Sequence, residues 1–332
     1  MLNNIVTITG LNIVHSIFLA AFYLYLGRRL GPETYADFGS LMSIYTGAIF
    51  VSSVVGIVIM RYVSFFTAKS QEEKIARLAK ASTFRMAIAG GGFFIAVAVF
   101  APLIANFLRI QSPWLILILG FLIWASVVLQ NLLSIVNGLQ LFKELGVNRV
   151  IVAAIALVAC IVFVELGARV SGPFYGLIIG TLVVAYLVRK RLAFIFDRHY
   201  HRIGKAGIRA YIVHAVVLSV ALGVMLNLDV VLVKYYLPVV QAGYYVAASV
   251  LAKIAFMVST GVVTVSFPKV SLLHSYGKDT LPLLKDALTY TIVPSGIIAL
   301  VYILMPGFIS NIAFGPAYKI RGVLQPLGVA ML

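Results

Sequence analysis

Two charged side chains interrupt long apolar stretches of the sequence. Asp229 lies in LNLDVVLVKYYL, residues 226–237, and Lys253 lies in the next apolar run. Charges placed deep in hydrocarbon are costly, so they usually face a partner or a wet cavity. Three readings stay open. The two groups form an ion pair that locks neighbouring helices, or Lys253 attracts an anionic headgroup while Asp229 holds it or couples to a proton or cation, or one side chain snorkels to the surface.

Weaker candidates come from polar residues in other apolar runs. Asn12 and His15 are three residues apart and share a helix face. Gln130, Ser134 and Asn137 follow an i, i+4, i+7 pattern, which either joins helices by hydrogen bonds or lines a wet path. Arginines at the ends of runs either contact an anion or snorkel to the interface. The candidate substrate-binding residues are Lys253, Asp229, Arg61, Arg29, Asn12, His15, Gln130 and Asn137.

Enzyme chemistry has little support in the sequence. The chain has ten acidic residues and one cysteine, and it contains no HExxH, GxSxG, Walker or CxxC pattern. A membrane glycosyltransferase or polymerase needs acid–base carboxylates or a metal, usually on sizeable loops, and the loops on the predicted outer side are short. We therefore expect no catalytic residue, no metal site and no cofactor.

Composition identifies the class of protein. Of the 332 residues, 62% are hydrophobic and 11% are charged, whereas a soluble domain has about 25% charged residues. A helix needs about 20 apolar residues to cross the hydrocarbon. The sequence thus predicts an all-α polytopic membrane protein with nine full spans, at 5–27, 38–60, 84–106, 113–138, 148–167, 173–188, 210–236, 243–267 and 286–306. A tenth begins near Arg321, and we expect the chain to stop inside it.

Basic residues predict the orientation. Lysine and arginine concentrate after the second, fourth, sixth and eighth spans, so those loops and the N-terminus are predicted to be cytoplasmic. The excess of basic residues in the predicted cytoplasmic loops accounts for much of the net charge of +16. Such basic loops contact anionic lipid headgroups. We expect no nucleic-acid partner, because the sequence contains no recognisable RNA- or DNA-binding module. Charge alternation over 68–80 predicts an amphipathic helix along the cytoplasmic interface.

A weak internal sequence repeat relates the early spans to the later ones. With a shift of 207 residues, 30–64 aligns with 237–271, and both segments contain a helix end, a short loop, a helix and a basic cytoplasmic stretch. A shift of six spans preserves orientation, so the repeat is parallel, as in several transporter folds. The predicted domains are an N-terminal lobe at 1–188, a basic linker at 189–209 and an incomplete C-terminal lobe at 210–332.

Several degenerate motifs carry a family resemblance. They are LGRRLGPETYADFGSLMSIY (26–45), RYVSFF (61–66), NGLQLF (137–142), LDVVLVKYYLPVVQAGYYVAASVLAKI (228–254), FPKVS (267–271) and FGPAY (314–318). Together they resemble the polysaccharide-export, Wzx-like branch of the multidrug/oligosaccharidyl-lipid/polysaccharide (MOP) exporter superfamily. The resemblance implies two six-helix lobes around a central cavity, with the second lobe truncated here.

What the resemblance implies for function is lipid-linked oligosaccharide flipping. A polyprenyl-pyrophosphate-linked glycan would cross the cytoplasmic membrane by alternating access, with membrane lipids and the polysaccharide assembly machinery as partners. A cation-coupled multidrug exporter of the same superfamily is the first alternative, and a membrane glycosyltransferase or polymerase is the second. Buried bases favour a pyrophosphate carrier and buried acids favour a cation exporter. With one lysine and one aspartate inside the spans, this comparison leans only slightly toward the flippase.

Overall fold

The computed structural model describes residues 2–196, 209–253 and 281–330. Within these ranges the backbone is helical apart from short connections, and no strand occurs. The helices are α1 (Leu2–Ala68), α2 (Glu72–Val99), α3 (Ala101–Phe107), α4 (Trp114–Gly138), α5 (Phe142–Glu165), α6 (Ser171–Arg191), α7 (Ala193–Phe196), α8 (Arg209–Tyr236), α9 (239–253 in its described part), α10 (Leu281–Leu304), α11 (Pro306–Phe314) and α12 (Arg321–Ala330).

A single glycine divides α1 into two helices. Gly31 has φ 71° and ψ 168°, and Pro32 follows it. Side chains with a Cβ rarely adopt such a positive φ, whereas glycine adopts it readily. Proline suits the first position of a helix because the missing N–H would have no helical partner there. We name the parts α1a (2–30) and α1b (32–68). The first two predicted spans are confirmed, but a break of one residue replaces the predicted loop between them.

The region after α1b corrects one prediction. The sequence predicts a separate interfacial helix over 68–80, yet α2 runs without interruption from Glu72 to Val99. Ile75, Ala76 and Ala79 are buried in a cluster with residues of α1b, α4, α6 and α7. The buried side of this segment is therefore covered by protein, and the helix that contains the third predicted span starts earlier than predicted.

Close helix packing depends on small residues. A Cβ added at Gly176 of α6 would lie 2.5 Å from the carbonyl oxygen of Ala156 and 2.8 Å from the backbone nitrogen of Cys160, both in α5. Such an approach is typical of helices in lipid, where association depends on van der Waals contact rather than on the hydrophobic effect. The α5–α6 pair is thus fixed by a position that admits only glycine.

Seven helices of the described part are long and apolar enough to cross a membrane, and the first of these, Gly10–Ala68, contains the Gly31 interruption. The all-α polytopic fold class is thereby confirmed. The predicted span at 243–267 lies partly outside the described residues, as does much of the predicted linker. The short helix α11 is not among the sequence predictions.

Packing divides the chain into two compact units. Unit 1 comprises Met1–Tyr25 and Asp37–Tyr236, and unit 2 comprises Leu26–Ala36 and Leu237–Leu332. The predicted lobes at 1–188 and 210–332, which rest on the repeat, stay a prediction. One detail agrees with the repeat, because α9 starts at 239, which is where the shift of 207 places the start of α1b at 32.

Candidate functional site

The first two candidates lie in different units. Asp229 is half-buried in α8 of unit 1, and Lys253 is half-buried in α9 of unit 2, at the end of its described part. Their pairing, and a role for either in substrate binding, stay predictions.

A buried ion pair in unit 1 is absent from the sequence predictions. The Nζ atom of Lys234 donates to Oδ1 of Asp37 at 2.5 Å. The Lys234 side chain is 0% exposed, whereas that of Asp37 is 24% exposed. The orientation argument counts Lys234 among the basic residues of the predicted outer side. Its side of the membrane stays a prediction, but the ammonium is enclosed by protein in the last turn of α8 and is not exposed in a loop.

The ion pair belongs to a polar seam between α1b and α8. Farther along, the Thr46 hydroxyl donates to Oδ1 of Asn227 at 2.7 Å, and the Asn227 amide donates to the carbonyl oxygen of Gly223 at 2.9 Å. Residue numbers rise along α1b while their partners' numbers fall along α8, so the two helices run antiparallel. The seam therefore fixes both the register and the spacing of these helices.

Aromatic contacts hold the same end of α8 from another direction. The rings of Phe107 and Tyr235 stack with centroids 4.6 Å apart and planes inclined by 15°. The Arg109 guanidinium lies 5.8 Å from the centroid of the Tyr235 ring, which is within the range of a cation–π interaction. The end of α8 near Lys234 thus contacts both α1b and the connection that follows α3.

The polar stripe of α4 faces α1b. The Asn137 amide lies 3.0 Å from the sulfur of Met60, and Ser134 donates to the carbonyl oxygen of Gln130 at 2.8 Å. A Cβ at Gly56 would lie 2.5 Å from the Ser134 hydroxyl oxygen, so the helices touch there. This geometry gives Asn137 and Ser134 contacts at a helix–helix interface, while substrate binding by Gln130 and Asn137 stays a prediction.

The remaining candidates are spread over the molecule. Arg61 is exposed on α1b, Arg29 and Asn12 are exposed on α1a, and His15 is half-buried on α1a. The structure does not bring these four together into one recognisable site within the described residues, and their roles stay predictions.

Two of the quoted motifs meet in unit 2. The Tyr318 hydroxyl donates to the carbonyl oxygen of Gly27 at 2.7 Å, and burial raises the pKa of this phenol, so it remains a donor. The Tyr35 ring lies 5.7 Å from Phe314 and 6.0 Å from Tyr318. LGRRLGPETY and FGPAY therefore form one aromatic cluster.

Arg28 has a structural contact in the same unit. Its Nε donates to the carbonyl oxygen of Ala313 at 3.1 Å, and its Nη2 donates to that of Ile312. These carbonyls end α11, where helical partners are missing and a positive charge is favourable. Arg28 thus caps α11. Among the described residues, no group of three or more His, Cys, Asp and Glu side chains is placed to hold a metal ion.

Solved structures show which fold this is. An inward-facing multidrug resistance MATE family transporter of the MOP superfamily is similar with a TM-score of 0.68 and 14% identity, over 96% of this chain and 76% of that one. An outward-facing MATE transporter gives 0.64 and 17%, over 98% and 78%. A MOP superfamily transporter from Pyrococcus furiosus, described with a binding pocket of reversed polarity, gives 0.54 and 14%, over 98% and 92%.

Sequence comparison supplies the family. A search of curated protein sequences gave no match. The sequence profile of the family described as "Polysaccharide biosynthesis protein" matches residues 1–274. The chain, a multi-pass membrane protein with the fold of MOP superfamily transporters, therefore belongs to the polysaccharide biosynthesis protein family.

Proposed function

We propose that this protein is a flippase that moves a polyprenyl-pyrophosphate-linked glycan across the cell membrane. The observation that carries the proposal is the combination of a polysaccharide biosynthesis family sequence with the fold of a transporter. Polysaccharide synthesis on a lipid carrier requires a step that moves the polar headgroup between leaflets, and a transporter fold is suited to that step.

The physical task is to avoid exposing a charged headgroup to hydrocarbon. Polar groups that enter an apolar medium without hydrogen-bond partners cost several kcal/mol each, and charged groups cost far more. In this proposal the pyrophosphate and sugars pass through a wet interior while the polyprenyl chain stays in the bilayer. The lobes open alternately to each side, and the N-terminus is cytoplasmic.

Lys253 is the residue that we assign to the pyrophosphate. Under the shift of 207, Lys253 occupies in α9 the register position that Thr46 occupies in α1b. Thr46 lies on a face of α1b that makes a polar contact, the hydrogen bond to Asn227. If the repeat holds, Lys253 lies on the equivalent polar face of α9, where an ammonium can attract a phosphate oxygen.

The rival from the same superfamily is a cation-coupled multidrug exporter. Two of the similar structures are described as multidrug resistance transporters, and their fold agrees equally well with either activity. Asp229, half-buried in α8, would be the cation site in that case. The family match favours the glycan carrier over this rival.

A leaflet assay tests the proposal. The full-length protein is placed in proteoliposomes with a fluorescent lipid-linked oligosaccharide, and the fraction protected from an added membrane-impermeant reagent is followed with time. We expect protein-dependent loss of protection. No loss, together with uptake or efflux of small organic cations, would move the assignment to the multidrug rival.

Variants of Lys253 test the assigned role. We expect Lys253→Ala to abolish flipping while membrane insertion stays normal, and Lys253→Arg to retain part of the rate because the charge remains. Lys285→Ala is the matched control, since Lys285 is exposed on α10. Normal flipping by Lys253→Ala would remove Lys253 from the mechanism.

A further inference from the structure

An open cavity lies in unit 2 between α11 and the start of α12. Its volume is about 280 Å³, close to the lower limit of about 300 Å³ for pockets that hold small ligands, so it fits a headgroup rather than a whole lipid. Its lining includes Ser310 and Asn311 of α11, and Tyr318, Lys319 and Arg321 of the segment that follows. No residue of this lining is among the predicted substrate-binding residues.

The cavity has a positive character. Lys319 and Arg321 are both exposed where they line it, and neither forms an ion pair with another described residue. The segment 306–330 contains no aspartate or glutamate. The start of α12 adds charge of the same sign, because the first N–H groups of a helix lack helical partners and carry a partial positive charge. An anion is therefore the ligand that this cavity favours.

Hydrogen bonds hold the connection that carries these cations. The Ser310 hydroxyl donates to the carbonyl oxygen of Tyr318 at 2.8 Å, and the Tyr318 hydroxyl donates to that of Gly27 at 2.7 Å. Tyr318 and Ile320 are buried on either side of Lys319. The backbone at Lys319 is thus fixed before a ligand arrives, which lowers the entropy that binding would cost.

An apolar surface adjoins the polar lining on α11. Phe308 and Ile312 are exposed and four residues apart, so they share one face of the helix. Gly307 and Asn311 line the cavity and share the neighbouring face, since each stands one position earlier in the helix. A membrane lipid combines an anionic phosphate with hydrocarbon in the same way, whereas a soluble anion would make no use of the apolar face.

We propose that this cavity binds the phosphate group of a membrane lipid, with Lys319 and Arg321 on the phosphate and with Phe308 and Ile312 against the hydrocarbon. Ammonium and guanidinium groups form charge-assisted hydrogen bonds to phosphate oxygens, and the planar guanidinium can bind two such oxygens at once. Two lipids offer the group, namely a phospholipid and a polyprenyl-pyrophosphate carrier. The second source rests on the proposed function, and the first does not.

The predicted orientation gives the site a place in transport. The connection between α11 and α12 follows the ninth predicted span, so the basic residues of the loops predict that it lies on the outer side. A lipid-linked pyrophosphate bound there would be the transported form, while a phospholipid would come from the outer leaflet. The two sources therefore differ in headgroup, and that difference can be tested.

Native mass spectrometry of the full-length protein in a neutral detergent measures lipid binding directly. The probes are phosphatidylglycerol and farnesyl pyrophosphate, and the matched controls without phosphate are diacylglycerol and farnesol. We expect saturable binding of a phosphate-bearing probe and no saturable binding of its control, because the cations recognise the phosphate rather than the hydrocarbon.

Variants then locate the binding. The double variant Lys319→Gln with Arg321→Gln should weaken binding by about tenfold or more, because charge-assisted hydrogen bonds are lost. Both side chains are exposed, so the fold should be retained. The exchange Lys319→Arg with Arg321→Lys keeps both charges and should keep most of the affinity. Lys285→Gln removes a charge from an exposed position on α10 of the same unit and should leave the affinity unchanged.

The outcomes separate the site from the proposed function. Affinities that the double variant leaves unchanged, or an absence of saturable binding, would overturn the site. Tighter binding of phosphatidylglycerol identifies a phospholipid site, and tighter binding of farnesyl pyrophosphate identifies a carrier site. Flipping in the leaflet assay without phosphate binding at this cavity rejects the site alone. Phosphatidylglycerol binding here, in a protein that flips no oligosaccharide, rejects the glycan carrier alone.

Discussion

Two ion pairs of unit 1 have the same chemistry and opposite surroundings. Arg191 of α6 and Glu144 of α5 are 3.1 Å apart, with side chains 72% and 30% exposed. Lys234 and Asp37 are 2.5 Å apart, with side chains 0% and 24% exposed. An exposed pair contributes about 0.2–1 kcal/mol, because water solvates both charges when they separate. A buried pair that loses one partner costs about 3–5 kcal/mol.

The two ion pairs differ in how much the packing of the helices around them depends on the contact. Helices α5 and α6 pack closely through Gly176 whether or not Arg191 contacts Glu144. The end of α8, by contrast, contacts α1b through charged and polar groups, which must all be satisfied together. Loss of one partner of the buried pair therefore disturbs the packing of α1b against α8, while the exposed pair adds little to the packing of α5 against α6.

The largest effect is expected for Asp37→Asn. This change leaves a fully buried ammonium without its carboxylate, and we expect a loss of folding free energy of about 3–5 kcal/mol. Thermal unfolding of the purified protein in detergent, followed by intrinsic fluorescence, measures the shift relative to wild type. An unchanged unfolding temperature would show that Lys234 finds another partner.

Lys234→Met is expected to cost less than Asp37→Asn. The carboxylate that it leaves behind belongs to a side chain that is 24% exposed and can be partly hydrated. Methionine is flexible and fills most of the volume of the lysine. The double variant Asp37→Asn with Lys234→Met should recover part of the loss, since no unpaired charge remains. The same unfolding measurement applied to all three variants gives the coupling, and simple additivity of the two single changes would contradict it.

Ionic strength should separate the two pairs. The Debye length falls from about 10 Å at about 0.1 M salt to about 3 Å at about 1 M, and screening acts mainly on exposed charges. Double-mutant cycles at low and high salt should show that the Arg191–Glu144 coupling decreases, whereas the Lys234–Asp37 coupling changes little. Equal salt dependence would mean that water reaches Lys234.

The smallest effect is expected for Glu144→Gln. Its loss should be below about 1 kcal/mol, with flipping activity and expression at wild-type levels, because Arg191 is already solvated. A large drop in either quantity would show that the α5–α6 pair has a role beyond its local contact.

Sequence reasoning locates the helices well and locates their contacts poorly. Hydropathy identifies α4 and α8 within a few residues, but it misses the continuity of α2 through 80–84, where no glycine or proline interrupts the helix. It also counts Lys234 among the basic residues of the loops, although the side chain is fully buried. One signal was available, since Lys234 stands in VVLVKYY, where the residues before it are continuously apolar.

The partner of Lys234 could not be inferred from the sequence. Asp37 is 197 positions away, and nothing along the chain links it to Lys234 rather than to another basic residue. A helix of period 3.6 shows which residues share a face, but it does not show which helix that face meets. For the same reason the sequence does not reveal that Asn137 contacts Met60. Without knowledge of that contact, a structural role and a functional role for Asn137 are equally compatible with the sequence.

The sequence by itself determined that this is an α-helical membrane protein that resembles polysaccharide exporters, and it predicted a parallel repeat. Those properties follow from local hydropathy, charge bias and motif order, each of which is written along the chain. Only the tertiary structure decided that Asp37 meets Lys234, that Arg28 caps α11 and that Tyr318 joins Gly27. These contacts join residues far apart in sequence, and packing in three dimensions selects them from many pairs that local chemistry would equally allow.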